Sequence, residues 1–289
     1  MRRFILALCI LCCGIVNLPA ADDWSAVLEK NTPGIVRVSA TVTVERAYAG
    51  QAAQKNDSRL ELNGTVLDAN GLIAVSLVEI DPVSLYQEML ENNAEIKSKV
   101  SVKSDISDLK IWLPGGQEIP GRLVYRDADL DLAFLVPVVK DGETQPTFTP
   151  ISTTPSGELK LLDSVLTVTR MAKAFQRTPA VYMSQVSSVL RKPRLLYVCM
   201  NEGKMLVQGS PGTFLGTPAF TADGKFVGIW GMNKTGINGA ISRQEMPQPI
   251  PVVLPATQVM ESAKQARSAK EKPVVEKGDK PTSGTKAKD

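Results

Sequence analysis

The chain has 289 residues with an apolar fraction of 43% and a formal net charge of +3, the profile of an ordinary globular protein long enough for one large or two small domains. The small charge excess comes largely from a lysine-rich end, which argues against a nucleic-acid footprint over the folded part. Histidine is absent from the sequence, and this excludes Ser-His-Asp and Cys-His hydrolysis and zinc sites built on His ligands, because no other residue here replaces the imidazole as proton carrier.

Residues 1–20 combine a basic start (Arg2, Arg3), an apolar run from Phe4 to Val16 and a small-residue exit at Pro19-Ala20-Ala21. This is the pattern of a secretory signal peptide, too short for a comfortable transmembrane span, with cleavage expected near Ala20. It implies export to a periplasmic or extracellular location. Membrane association would follow only from lipidation at Cys12 or Cys13, where the preceding residues make a poor lipobox. With the leader go three of the four cysteines. Cys199 is left alone on an apolar strand, read as a buried side chain rather than a reactive thiol.

A short helical turn is expected from Trp24 to Leu28, then an alternating strand from Gly34 to Val42. Tyr48 to Arg59 is polar and reads as a loop. Leu62–Leu67 and Leu72–Val75 flank Asn70-Gly71, a strong hairpin signal. From Pro82 to Val100 the stripe Leu85, Met89, Ile96 and Val100 predicts an inserted amphipathic helix, either packed on the surface or available to a partner. Leu109–Leu113 and Glu118–Tyr125 are strands around the turn at Pro114-Gly115-Gly116. They are followed by Arg126-Asp127-Ala128-Asp129-Leu130-Asp131-Leu132-Ala133-Phe134-Leu135. Asp127, Asp129 and Asp131 lack the glycine and distal glutamate of a calcium loop. No cofactor or metal is implied.

Lys140 to Pro155 reads as a linker between two halves. Leu161–Val168, Val181–Leu190 and Leu195–Met200 are strands in the second half. The stretch Gly209–Ile229 then runs through a Pro211-Gly212 turn, the elbow Gly216-Thr217-Pro218 and the turn Ala222-Asp223-Gly224 into a last pair of strands. Trp230-Gly231-Met232 is expected to continue as an edge strand. Ile250–Leu254 closes the sheet, and Pro255–Ala266 forms a helix packing on the second half through Leu254, Val259 and Ala263. From Arg267 to Asp289 the chain is a polar, Lys-rich, disordered tail.

In order and spacing, these segments resemble the trypsin-like serine proteases of the HtrA (Deg) type. The hairpin around Asn70-Gly71 resembles G-S-G-F-V-I, D-G, Y-I-L-T-N-x-H-V-V; the run through Asp131 resembles G-R-D-x-x-x-D-L-A-L-L; and Gly209–Ile229 resembles P-G-N-S-G-G-P-L-V, D-G, V-I-G-I. The resemblance covers about Trp24 to Ala266. It implies an all-β fold of two six-stranded antiparallel barrels, about 24–139 and 151–255, with an inserted helix and a C-terminal helix. The turn G-N-P-x-G of the family is replaced by Thr169-Arg170-Met171-Ala172-Lys173, and the chain has no room for the PDZ domain that often follows.

Carried onto this sequence, the triad histidine falls at Val78, the aspartate at Asp131 and the serine at Leu215. The oxyanion glycine falls at Thr213, and Phe214 stands between the last two. The resemblance therefore implies a pseudoprotease whose cleft and strand edges bind an extended peptide or a protein partner by strand addition, in a chaperone-like, scaffold or regulatory role. Losing one triad member leaves only about 10³–10⁴-fold rate enhancement over water, and that remainder depends on the oxyanion hole. Asp131, with no histidine to orient, is expected to bond backbone N–H groups or to be solvated. Two rivals stand beside this reading: an active endopeptidase with an unorthodox pair such as Lys204 and Ser210, and an envelope component whose tail does the binding. The oligomeric state is left open.

Overall fold

A computed structural model describes residues 24–84, 99–200, 214–233 and 249–270. The expected leader, most of the inserted helix, Thr213, the Lys204 and Ser210 pair, and the tail beyond Lys270 lie outside the described residues.

Helix α1 (Trp24–Asn31) leads through a single 3₁₀ turn into β1 (Ile35–Tyr48), followed by β2 (Gln54–Val66), β3 (Ile73–Ser76), the one-turn helix α2 (Leu77–Ile80), β4 (Val100–Trp112), β5 (Glu118–Asp127) and β6 (Leu132–Pro137). The second half contributes β7 (Ser164–Arg170), β8 (Pro179–Leu190), β9 (Leu196–Met200), β10 (Pro218–Phe220), β11 (Phe226–Asn233), β12 (Ile250–Pro255) and helix α3 (Ala256–Lys270). Each half closes into an antiparallel six-stranded barrel, in the orders β1-β2-β3-β6-β5-β4 and β10-β11-β12-β9-β8-β7.

Strand alternation distributes the apolar residues among three buried clusters. On β6, Ala133 and Leu135 point into the first barrel with Val36, Val38, Leu62, Ile73 and Val75. Leu132, Phe134 and Val136, on the opposite face, join a cluster that also takes Leu166, Val168, Phe220, Phe226 and Ile229 of the second barrel. One strand thus serves its own barrel and the seam between barrels, and a fully buried Phe134 contributes about 1.5–3 kcal/mol of transfer free energy there. The third cluster fills the second barrel with Val165, Val186, Tyr197, Val227 and Trp230.

Several expectations change. The polar stretch Tyr48–Arg59 is mostly not a loop: β1 runs to Tyr48, β2 starts at Gln54, and the two stay in one unbroken register from Ile35↔Thr65 to Arg46↔Gln54. Backbone pairing to a strand already anchored in the barrel outweighs the polarity of the side chains. Val100, expected to end a helix, begins β4 and pairs with Tyr48, and that strand reaches Trp112 rather than starting at Leu109. The segment 140–155 is irregular but packed, since Phe148 and Ile151 are buried in the first-barrel and seam clusters and the Ser152 N–H donates to Asn31 Oδ1 at 2.8 Å. Trp230–Met232 lies on β11 between β10 and β12 in a closed barrel, not on an edge strand.

Helix α3 continues through Arg267 to Lys270, where a tail was expected. It also straddles both barrels instead of resting on the second. Val259, Ala263 and Ala266 enter the seam cluster, Ser262 Oγ donates to Asp127 Oδ2 at 2.6 Å, Tyr125 Oη donates to Gln265 Oε1 at 2.7 Å and Arg267 Nε donates to Asp68 Oδ2 at 3.0 Å. Each of these polar contacts reaches the first barrel.

Candidate functional site

The cleft region is assembled from three local devices. The first is the β3–α2 corner. Ser76 ends β3 in an extended conformation and the chain turns at once into α2, which brings Val78 over the mouth of the second barrel. Val78 belongs to the cluster that contains Phe214, Leu215, Ala219 and Trp230, although it is a first-barrel residue.

The second device is the elbow at Phe214–Pro218. Gly216 adopts φ +74°, and a Cβ there would stand 2.8 Å from the Asn63 carbonyl oxygen and 3.0 Å from the Ser76 nitrogen. Only glycine allows the second-barrel backbone to approach the first so closely. The elbow is tied down by Gly216 N–H to the Trp230 carbonyl at 2.8 Å, Trp230 N–H to the Thr217 carbonyl at 3.0 Å and the Thr65 hydroxyl to the Gly216 carbonyl at 2.7 Å. The Thr217 hydroxyl donates to the Phe214 carbonyl. Phe214 and Leu215 are thereby turned inward. The Phe214 ring lies 4.5 Å, centroid to centroid, from Trp230, and Leu215 is 9% exposed. The Trp230 indole N–H donates to Thr167 Oγ1 at 2.8 Å.

The third device is Asp131, fully buried and in the left-handed region at φ +54°. Its Oδ1 accepts the Val78 N–H at 2.8 Å. Its Oδ2 accepts the Ser76 hydroxyl at 2.9 Å and the Met232 N–H at 2.8 Å. One carboxylate therefore clamps α2 of the first barrel to β11 of the second, and charge-assisted bonds to N–H groups make burial of the anion tolerable. Of the two fates expected for this aspartate, backbone bonding is the one observed.

Val78, Asp131 and Leu215 are thus brought together. The first and last are apolar and enclosed, and the carboxylate between them is occupied by donors from backbone and Ser76. Asp127 and Asp129 do not join Asp131: Asp127 accepts the Leu130 N–H at 3.1 Å, and Asp129 is 86% exposed beside Arg194. Among the described residues no group of three or more His, Cys, Asp or Glu side chains could hold a metal ion. Cys199 is half-buried, and burial pushes its thiol up to about 12.

Sequence reasoning missed a polar knot elsewhere on the seam. Arg170 ends β7 where the family resemblance expected a loop. It is 6% exposed and donates from Nε to the Ile35 carbonyl at 2.6 Å and from its terminal nitrogens to the carbonyls of Thr32 and Arg177 at 3.1 and 3.2 Å. Arg37 donates to the Arg170 carbonyl at 3.2 Å and to the Glu61 carbonyl at 3.0 Å. Glu61 Oε1 receives Arg177 Nε at 2.8 Å and Arg37 Nε at 3.4 Å. The Arg177 guanidinium also sits 4.2 Å from the centre of the Trp112 ring, within cation–π range. Burial lowers the pKa of Arg37 and Arg170, with Glu61 opposing the shift at Arg37. A signal existed: Arg170 shares strand parity with the buried Leu166 and Val168, an inward position that an arginine fills only with partners.

Two closed antiparallel barrels meeting at such an elbow and corner define the trypsin-like two-barrel class. Residues 63–229 match the family model of the trypsin-like peptidase domain, more than half of the chain, which therefore belongs to that family. Among solved structures, the chain is similar to an HtrA-type protease AlgW with decapeptide, at 14% identity and TM-score 0.49 over 85% of this chain and 67% of that one. It is also similar to a variant of the same protease with decapeptide, at 13% identity and TM-score 0.50 over the same shares. At these identities the likeness concerns the fold. No curated protein matches the chain by sequence.

Proposed function

We propose that the protein is a catalytically inactive member of the trypsin-like family, exported from the cytoplasm, that binds an extended peptide or a protein partner. In this reading Val78, Asp131 and Leu215 occupy the triad positions and Thr213 an oxyanion position. The observation that carries it is that Val78 and Leu215, at the positions matched to the histidine and the serine, are apolar side chains buried in one cluster beside the Asp131 carboxylate. The absence of histidine from the sequence supports it independently. In this reading the groove between the two barrels takes an extended segment by strand addition. The related AlgW structure with its decapeptide is in keeping with that use.

The test is proteolysis of unfolded casein by the purified protein, with a fluorophosphonate serine probe run alongside and a labelled unfolded peptide titrated for binding. Saturable peptide binding without cleavage or labelling is the expected result. Cleavage or labelling that copurifies with the protein overturns the inactive reading, and absence of any binding by a protein with a folded β-rich spectrum overturns the peptide-binding one.

A further inference from the structure

The longest unpaired backbone edge among the described residues is on β2. Its other side is fully paired with β1, from Gln54 to Thr65, without a bulge. Toward β3, however, it pairs only at Thr65 and Val66. The segment Gln54–Leu62 therefore projects from the first barrel as the border of a sheet whose remaining strands are β1 and β4, with residues 54–59 exposed. The corresponding border of β4 is less regular, because its register against β1 shifts between Ser39 and Thr41 and Asp108 adopts φ +47°.

An open edge is a template for another strand, and natural proteins blunt such edges with charge. The charges on β2 are arranged more specifically than that. Lys55, Asp57, Arg59 and Glu61 alternate in sign and, by strand parity, share one face. Lys55 meets Glu45, and the Thr43 hydroxyl meets Asp57, across the β1 ladder on that face. A twofold axis perpendicular to the sheet pairs β2 with its own copy antiparallel, with odd residues opposite odd. Centred on Ser58, it sets Asp57 opposite Arg59 and Lys55 opposite Glu61, each twice. Centred on either neighbour, Asp57 or Arg59, it sets like charges opposite each other. Centred on Asn56 or Leu60, it forms two unlike pairs instead of four. Directly opposed unlike charges stabilise a sheet and like charges destabilise it, so this row favours the register about Ser58.

We propose that β2 is a self-complementary docking edge at which a second copy of this chain adds antiparallel about Ser58, making one continuous sheet across two protomers. Such an interface is isologous and closes at two subunits. Glu61 is already held by Arg37 and Arg177 of its own subunit, so discrimination falls mainly on the central Asp57 and Arg59 pairs. This inference does not depend on whether the cleft hydrolyses or binds peptides.

Sedimentation equilibrium of the purified protein tests it, together with the single substitution Arg59→Asp and the swap Asp57→Arg with Arg59→Asp. Self-association should weaken by about tenfold in the single variant, where two symmetry-related pairs become Asp opposite Asp, and recover in the swap, where every pair is again unlike. Under mild oxidation Ser58→Cys should give a covalent dimer that the unsubstituted protein does not, while Asn56→Cys, whose own copy is displaced along the strand, should not. Circular dichroism confirms that each variant folds. A protein that stays monomeric at high concentration overturns the proposal. So does an assembly of any size that Arg59→Asp leaves unchanged, or a dimer that crosslinks through Asn56→Cys rather than Ser58→Cys.

Discussion

Around Asp131 and Leu215 the barrels meet through an apolar cluster pierced by one carboxylate, whereas around Arg170 they meet through guanidinium groups spread over backbone carbonyls and a single Glu61. The first seam is short-range in its parts: the corner at Ser76–Val78, the turn at Asp131 and the elbow at Gly216 each come from a few consecutive residues. Its stability depends on donors that have no other acceptor once buried. The second seam is redundant, since Arg37, Arg170 and Arg177 share partners and the Arg177 edge is half-open. A buried contact that hangs on one carboxylate should therefore fail abruptly on substitution, and a redundant one gradually.

The largest effect is expected for Asp131→Ala. It leaves the N–H groups of Val78 and Met232 and the Ser76 hydroxyl without their acceptor, at a cost of about 3–5 kcal/mol in urea unfolding. That is a large fraction of the stability of a typical domain. Asp131→Asn should recover part of the loss, because the amide oxygen still accepts. A loss below about 1 kcal/mol would show that the clamp is dispensable and the two seams are equivalent.

Gly216→Ala follows, at about 2–4 kcal/mol, because it combines a left-handed backbone with a Cβ pressed onto the Asn63 carbonyl and the Ser76 nitrogen. The same measurement on Arg170→Met should give about 2–3 kcal/mol. The freed carbonyls of Ile35 and Thr32 account for most of it, and the retained aliphatic stem limits the damage. Arg177→Ala, beside the solvent, should cost about 1 kcal/mol or less. If Arg177 proves as costly as Arg170, the second seam is a cooperative network rather than a redundant one.

The smallest effect concerns Cys199. Burial pushes its thiol up to about 12, so the folded state holds the proton when the unfolded state has released it. Stability contributed by this group is therefore intact below about pH 9 and declines between about pH 9 and 12. At pH 8 the thiol should alkylate far more slowly in the folded protein than in urea, as thiolate supply limits the reaction. Equal rates would mean that the β8–β9 region opens readily.

Much of this molecule follows from short-range pattern. The Asn70-Gly71 hairpin, the β5–β6 segment through Asp131 and the Gly216-Thr217-Pro218 elbow are each set by neighbouring residues, and the composition alone removed imidazole chemistry. The elements misread from sequence depend on distant partners. Polar β2 is a strand because β1 lies beside it, Val100 is in β4 because Tyr48 faces it, and α3 bridges two barrels because Asp68, Tyr125 and Asp127 lie under it. The Arg37, Glu61, Arg170 and Arg177 knot joins residues up to 140 positions apart, and no local window contains its charge balance. Sequence determined which turns and alternations could form, since those obey sterics and period. Tertiary structure decided which polar groups found partners, because buried charges take whatever acceptors the packed barrels bring within reach.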